Sequence, residues 1–320
     1  MKTLKNLKWS PKWVSHLGCV KGCLEYLGIE ITDAWLYGGS GHAFIINISP
    51  DSCPSGPTAW RTMMLFEQGP ALGYQVSGVF GSKNDQNLSV LQEKAWEFAC
   101  SSIDHDFPVY AWEVEIPEFY VVNGYDEVGY YYSGPGADKG KGPKSWRELG
   151  DSGIGIVELY NLKPVEPKTP QEVVRSACEK AIKHASNPNE WIFENYGAGL
   201  KGFDNWILGL ESGMTSRFGM GYNAAVWHEC RKYAVDFLGE ARERLGGTVP
   251  DLFDQAINHY QRVADRLGDL SQSYPFIAES GPETIPVDDQ CQEAVRWLEE
   301  ARQAEAIGLS VLEQIVTAIS

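Results

Sequence analysis

Residues 107–132 read Phe107-Pro108-Val109-Tyr110-Ala111-Trp112-Glu113-Val114-Glu115-Ile116-Pro117-Glu118-Phe119-Tyr120-Val121-Val122-Asn123-Gly124-Tyr125-Asp126-Glu127-Val128-Gly129-Tyr130-Tyr131-Tyr132. Three short β-prone runs lie in this stretch: Pro108 to Val114, Phe119 to Asn123 and Val128 to Tyr132. β-Branched and aromatic side chains dominate them, and such residues suit a pleated, half-buried surface. Ile154 to Tyr160 adds a fourth run. Strands grouped together and then followed by helices point to an α+β class.

Upstream, Tyr74 to Phe80 alternates as a strand does, and Leu88 to Ser102 reads as a helix. A first helix is expected from Val14 to Leu27, where Leu17, Val20, Leu24 and Leu27 fall at helical spacing and Gly28 ends the run. Gly38-Gly39-Ser40-Gly41 reads as a turn, and His42 to Ile48 as a buried strand. A turn-rich loop, Ser52 to Pro57, precedes an expected short helix from Thr58 to Gln68. Ser133 to Lys144, rich in Gly, Pro and Lys, reads as an exposed loop.

Downstream, Pro164, Pro167 and Pro170 mark a linker. Beyond it the pattern is helical. Phe253, Ala256, Tyr260, Val263, Ala264, Leu267 and Leu270 form one apolar stripe; Trp227, Ala234, Phe237, Leu238 and Ala241 form another. A last helix is expected from Asp288 onward. The reading is an α+β domain over residues 1–165 and a helical domain over 166–320.

The 320 residues carry a formal net charge of −16. Residues 1–165 hold 13 basic and 19 acidic side chains, and residues 166–320 hold 14 and 24. Neither half offers the basic face that nucleic acid or an anionic membrane surface requires. Seven scattered cysteines argue for a reducing compartment rather than a disulfide framework. Met1-Lys2-Thr3-Leu4-Lys5 is charged with no apolar stretch behind it, which predicts no secretory signal. No apolar run reaches membrane-span length. A cytoplasmic protein is expected.

Several short motifs stand in a telling order. Phe107-Pro108-Val109-Tyr110-Ala111-Trp112 precedes Val121-Val122-Asn123-Gly124-Tyr125-Asp126, and Trp146-Arg147-Glu148-Leu149 follows. This order resembles papain-like proteins of the double-glycine-peptidase type, and within them the acyltransferase family of butirosin biosynthesis, over most of residues 13–165. The resemblance implies a papain-like domain with a nucleophilic cysteine at the N-terminus of the first helix. It also implies a histidine just ahead of the Gly124-Tyr125-Asp126 motif and a carboxylate or amide to orient it. In such a site the helix dipole and the imidazole lower the thiol pKa. Here the nucleophile position, counted back from Gly28, is Ser15, and the histidine position is taken by Glu118 and Phe119. Asp126 is kept.

His42 follows four small residues and suits proton transfer near neutrality; the plain alternative is a buried, hydrogen-bonded histidine. Cys19 offers a thiol to partner it, and otherwise fills core space, as does Cys23. Ser15 offers a hydroxyl or, more plainly, a helix cap. Glu118 suits a general base or an amine-binding carboxylate. Gly39, Ser40 and Gly41, with Cys53, Ser55 and Thr58 of the proline-flanked loop, are the candidate ligand contacts, the loop offering an anion site at the next helix. Its plainer reading is a structural corner. No dinucleotide fingerprint, P-loop or metal-ligand spacing is present, so no cofactor or metal is expected.

Two functions follow. One is a papain-like acyltransferase or amide hydrolase acting on a small or carrier-bound acyl compound. Cys19 or Ser15 is then the nucleophile, His42 the base, and Glu118 or Asp126 the orienting carboxylate. The other is an inactive papain-like fold that binds a small ligand or partner. The C-terminal helices are expected either to pack on the first domain or to pair between chains as a homodimer.

Overall fold

A computed structural model describes residues 1–186, 190–281 and 283–320. In chain order the first elements are β1 (Lys2–Thr3), α1 (Ser15–Tyr26), α2 (Asp33–Gly39), β2 (Asn47–Ile48), β3 (Tyr74–Ser82) and α3 (Leu88–Asp104). Next come β4 (Val109–Trp112), β5 (Phe119–Tyr125), β6 (Gly129–Ser133), β7 (Lys141–Ser145) and β8 (Ile156–Pro164). The remainder is α4 (Pro170–Ser186), β9 (Gly197–Ala198), α5 (Leu200–Glu211), α6 (Arg217–Arg244), α7 (Pro250–Ser273) and α8 (Asp289–Ala318). The class is α+β, with an antiparallel sheet and a helical C-terminal region.

The chain divides into two compact units, 1–32 with 73–167 and 33–72 with 168–320. The expected break near residue 165 lies close to the third crossing between units, at 167/168. Residues 33–72, read from sequence as part of the first domain, cluster with the helices.

In the first unit the strands order β3-β8-β4-β5-β6-β7, every pair antiparallel, and β1 pairs with the end of β5. The longest pairing, β3 with β8, runs from Tyr74 opposite Pro164 to Ser82 opposite Ile156. α1 packs on β5 and β8, and α3 on β3 and β8. α1 is buried nearly all round, with Leu17, Val20, Cys23 and Leu24 in the core. Its apolar side chains each contribute about 1.5–3 kcal/mol through burial. Residues 8–10 cross the opposite face, where a Cβ on Gly22 would lie 1.8 Å from the Lys8 carbonyl oxygen. Only glycine admits that approach. The Ser133–Lys144 stretch is less loop-like than its composition suggests, since it ends in β7 against β6.

In the second unit α7 packs between α6 and α8, α2 rests on α6, and α4 and α5 lie against α8. A two-stranded ribbon joins Asn47 to Ala198 and Ile48 to Gly197. Arg231 of α6 and Glu305 of α8 form a fully buried bidentate pair at 2.8 and 2.9 Å.

Three expectations for residues 38–68 are corrected. Gly38 and Gly39 end α2 instead of forming a turn; a Cβ on Gly38 would fall 1.9 Å from Phe237 Cγ, so Gly38 lets α2 sit close on α6, while Gly39 abuts Leu72 and Val173. The expected strand 42–48 is buried throughout, yet it is a 3-10 turn, His42–Phe44, followed by the two-residue β2. The expected helix 58–68 is broken into 3-10 turns at Gly56–Thr58 and Thr62–Leu65.

Candidate functional site

The first unit brings two of the sequence candidates together. Ser15 is the first residue of α1, and the cap position before it belongs to Val14, in extended conformation with no side-chain cap. The Ser15 hydroxyl is therefore not the cap. It donates to Glu118 Oε2 and accepts the Phe119 backbone N–H at 3.0 Å. Glu118 stands at the entry to β5, so α1 and the sheet meet through these two residues. Ser15 is buried and Glu118 half-buried. A carboxylate at a helix N-terminus is favoured by the unpaired N–H groups and dipole there. Glu118 thus supplies the negative charge that this helix end attracts.

His16 is a neighbour that sequence reasoning left out of the candidate set. Its Nε2 lies 3.3 Å from the Tyr110 hydroxyl, and its ring stands edge-on to Tyr110 and Phe119, with centroids 5.5 and 5.1 Å away. Tyr110 on β4 faces Tyr160 on β8, whose hydroxyl donates to Glu158 at 3.2 Å. The only signal in the sequence was its adjacency to Ser15.

Cys19 lies one turn further along α1 and is wholly buried. Burial pushes its thiol well up, and the nearby Cys23 and Glu118 push the same way. Cys23 is raised by burial as well. Both stay protonated at neutral pH, the opposite of what a nucleophile needs. They are core fillers, and the thiol role is corrected on that ground.

Asp126 closes the turn from β5 to β6. Its carboxylate accepts from the Tyr131 hydroxyl at 2.7 Å and from the N–H groups of Val128 and Gly129 at 2.8 and 3.2 Å. The Tyr131 hydrogen bond and these amides hold it below its usual range. Glu118 and Asp126 flank opposite ends of β5, roughly 26 Å apart along an extended strand. The structure does not bring them together; Asp126 is a turn residue.

The other candidates fall in the second unit. His42 is buried, edge-on to Trp60 with centroids 5.2 Å apart and to Tyr37 at 6.4 Å. Its N–H donates to Ser40 Oγ at 3.3 Å, and that hydroxyl donates to the Tyr37 carbonyl at 3.0 Å. Cys19 and His42 therefore belong to different units. Gly39 is packed against Leu72, and Gly41, at φ +79°, against the Lys180 stem. Their small size serves packing.

The Cys53 loop is a structural corner. Asn47 Nδ2 donates to the carbonyls of Gly56 and Ala59 at 3.0 Å. Asn223 Nδ2 reaches those of Ser52 and Cys53 at 3.1 and 3.2 Å. Ser55 Oγ meets the Tyr196 hydroxyl at 2.6 Å and donates to Cys53 Sγ at 3.0 Å, while Thr58 Oγ1 donates to the Ser55 carbonyl at 3.2 Å. The helix that follows is a three-residue turn, too short for an anion site.

Among the described residues no three His, Cys, Asp or Glu side chains converge as a metal centre, and no helix is long and apolar enough to cross a membrane. In comparisons with known proteins, no family model and no curated protein matches the chain.

Proposed function

We propose that the first unit has a papain-like layout in which Ser15 and Glu118 stand where a thiol and an imidazole would work, and that the protein binds a small ligand there without thiol chemistry. The observation that carries this reading is the Ser15–Glu118 hydrogen bond. It joins residues 103 positions apart, at the two places where the resemblance to papain-like proteins expects the nucleophile and the base. The helix-plus-antiparallel-sheet arrangement around α1 supports the same layout. Against catalysis stand the buried, protonated thiols and the weakness of a carboxylate as a base toward a serine hydroxyl.

Two experiments test it. Ser15→Cys alone is expected to react slowly with iodoacetamide at pH 6, whereas Ser15→Cys with Glu118→His regenerates a thiol–imidazole pair and reacts at least tenfold faster. Equal rates would sink the papain-like layout. Intact-mass analysis after incubation with a fluorophosphonate is expected to show no adduct on the native protein. A stoichiometric adduct at Ser15, lost in Glu118→Gln, would replace the binding reading with a serine hydrolase. A thermal-shift screen of small amines and carboxylates then identifies the ligand class, with Glu118→Gln as the control.

A further inference from the structure

Residues 42–67 of the second unit hold only short 3-10 turns and the two-residue β2, and much of the stretch is buried. A buried carbonyl must find a donor, and here basic side chains from distant helices supply several. Arg231 of α6 donates to the Ala43 and Ile45 carbonyls at 2.8 and 2.9 Å. His184 of α4 sits 3.0 Å from the Ile46 carbonyl through Nε2. Lys180, one turn earlier on the same face of α4, donates to the Met64 carbonyl.

The three holders respond differently to protons. Arg231 is locked by Glu305 and stays charged. Lys180 has Glu67 Oε2 3.9 Å away and remains mostly charged at neutral pH. His184 is fully buried and stacked on Trp191 with ring centroids 6.1 Å apart; among the described residues its Nδ1 has no hydrogen-bond partner. The charged groups that act on it are Lys180 from α4 and Arg231 from α6, both cationic. With Nε2–H on Ile46, the neutral ring fits. A proton on Nδ1 would create a buried, unpaired cation between two others.

We propose that α4 is an acid-operated latch on residues 42–60, with His184 as its trigger: protonation of the ring releases the segment before the rest of the molecule unfolds. Burial, with Lys180 and Arg231 nearby, pulls the ring down to about 4 from an ordinary 6.5. A group with a depressed folded-state pKa stabilises the closed form above its ordinary value and loses that contribution as pH falls. The opening equilibrium then rises roughly twenty-fold from pH 7 to pH 5.

Hydrogen exchange by mass spectrometry on the full chain, corrected for intrinsic rates, tests this. Peptides within 42–60 are expected to show the roughly twenty-fold rise, while those of β8 do not change. His184→Gln, which keeps a donor for Ile46 and cannot titrate, is expected to abolish the rise. A pH-independent opening, or a rise that persists in His184→Gln, overturns the latch. Should that variant fail to fold, NMR titration of the wild-type ring decides: a pKa near 4 is required, and titration near 6.5 overturns it.

Discussion

In the first unit the strand backbones pair with one another, from β3 through β8, β4, β5 and β6 to β7. In the second unit residues 42–67 are also largely buried, yet only Asn47 and Ile48 pair as a strand. Their carbonyls go instead to Arg231, His184, Lys180 and Asn223, and to Asn205, which donates to the Ile48 carbonyl at 2.8 Å. Burial alone therefore does not make a strand. What differs is where the donors come from: neighbouring strand backbone in one case, and in the other a mixture of local turns, Asn47, the Gly199 N–H and side chains 100 or more residues away. A segment held by side chains inherits their chemistry, including their titration, which a paired strand does not.

The sharpest way to break this contrast is to remove a holder. Glu305→Ala leaves the Arg231 guanidinium buried and unpaired, and should cost about 3–5 kcal/mol in urea denaturation. A loss below about 1 kcal/mol would mean that the pair does not hold the 43–45 carbonyls in place.

Lys180 gives the next largest effect. Its folded pKa is pulled down to about 8 by burial, from an ordinary 10.5. At Lys180 the unfolded chain holds the proton more tightly between these values, so this group's own contribution to stability should rise with pH in that window, by up to roughly 3 kcal/mol. Thiols raised by burial, such as Cys19, Cys23 and Cys100, act the other way over the same range, because they ionise first in the unfolded chain, so the Lys180 contribution is read as the difference in slope between wild type and variant from pH 8 to 9.5. Lys180→Met should make stability fall more steeply with pH; an identical slope would assign the effect elsewhere.

The first unit should respond more mildly at its candidate site. Ser15→Ala removes the donor to Glu118 and the acceptor for the Phe119 N–H, and should destabilise by about 1–3 kcal/mol. The strand ladders around it stay intact, so far-UV circular dichroism before the transition should be unchanged. A collapse of strand signal would show that the sheet depends on this contact.

The smallest effect is a labelling pattern. Cys53 and Cys100 are the two half-buried cysteines, and burial pushes Cys100 up to about 11. Iodoacetamide at pH 7.5 should therefore modify Cys53 first and leave Cys19, Cys23, Cys178, Cys230 and Cys291 untouched until unfolding. Rapid modification of Cys19 would reinstate it as a nucleophile.

Much of the first unit was legible. Residues 109–112, 119–125 and 129–133 are strands where β-branched and aromatic runs predicted them, and α1 and α3 lie where apolar spacing predicted helices. Ser15 and Glu118 were singled out from the sequence, but the hydrogen bond between them was not. His16 was read only as a companion of Ser15, because nothing local separates a histidine facing Tyr110 from one facing solvent. Residues 38–48 misled, since glycines that admit Phe237 and Leu72 look, in sequence, like glycines that make a turn.

The sequence by itself determined the α+β class, the helical C-terminal region and the strand cluster. These follow from side-chain periodicity and backbone preference, which act over a few residues. Only the tertiary structure decided that residues 33–72 join the helices, that Cys19 and Cys23 are buried and that Ser15 meets Glu118. Those outcomes depend on burial and on hydrogen-bond partners brought from far along the chain, and no local pattern encodes them.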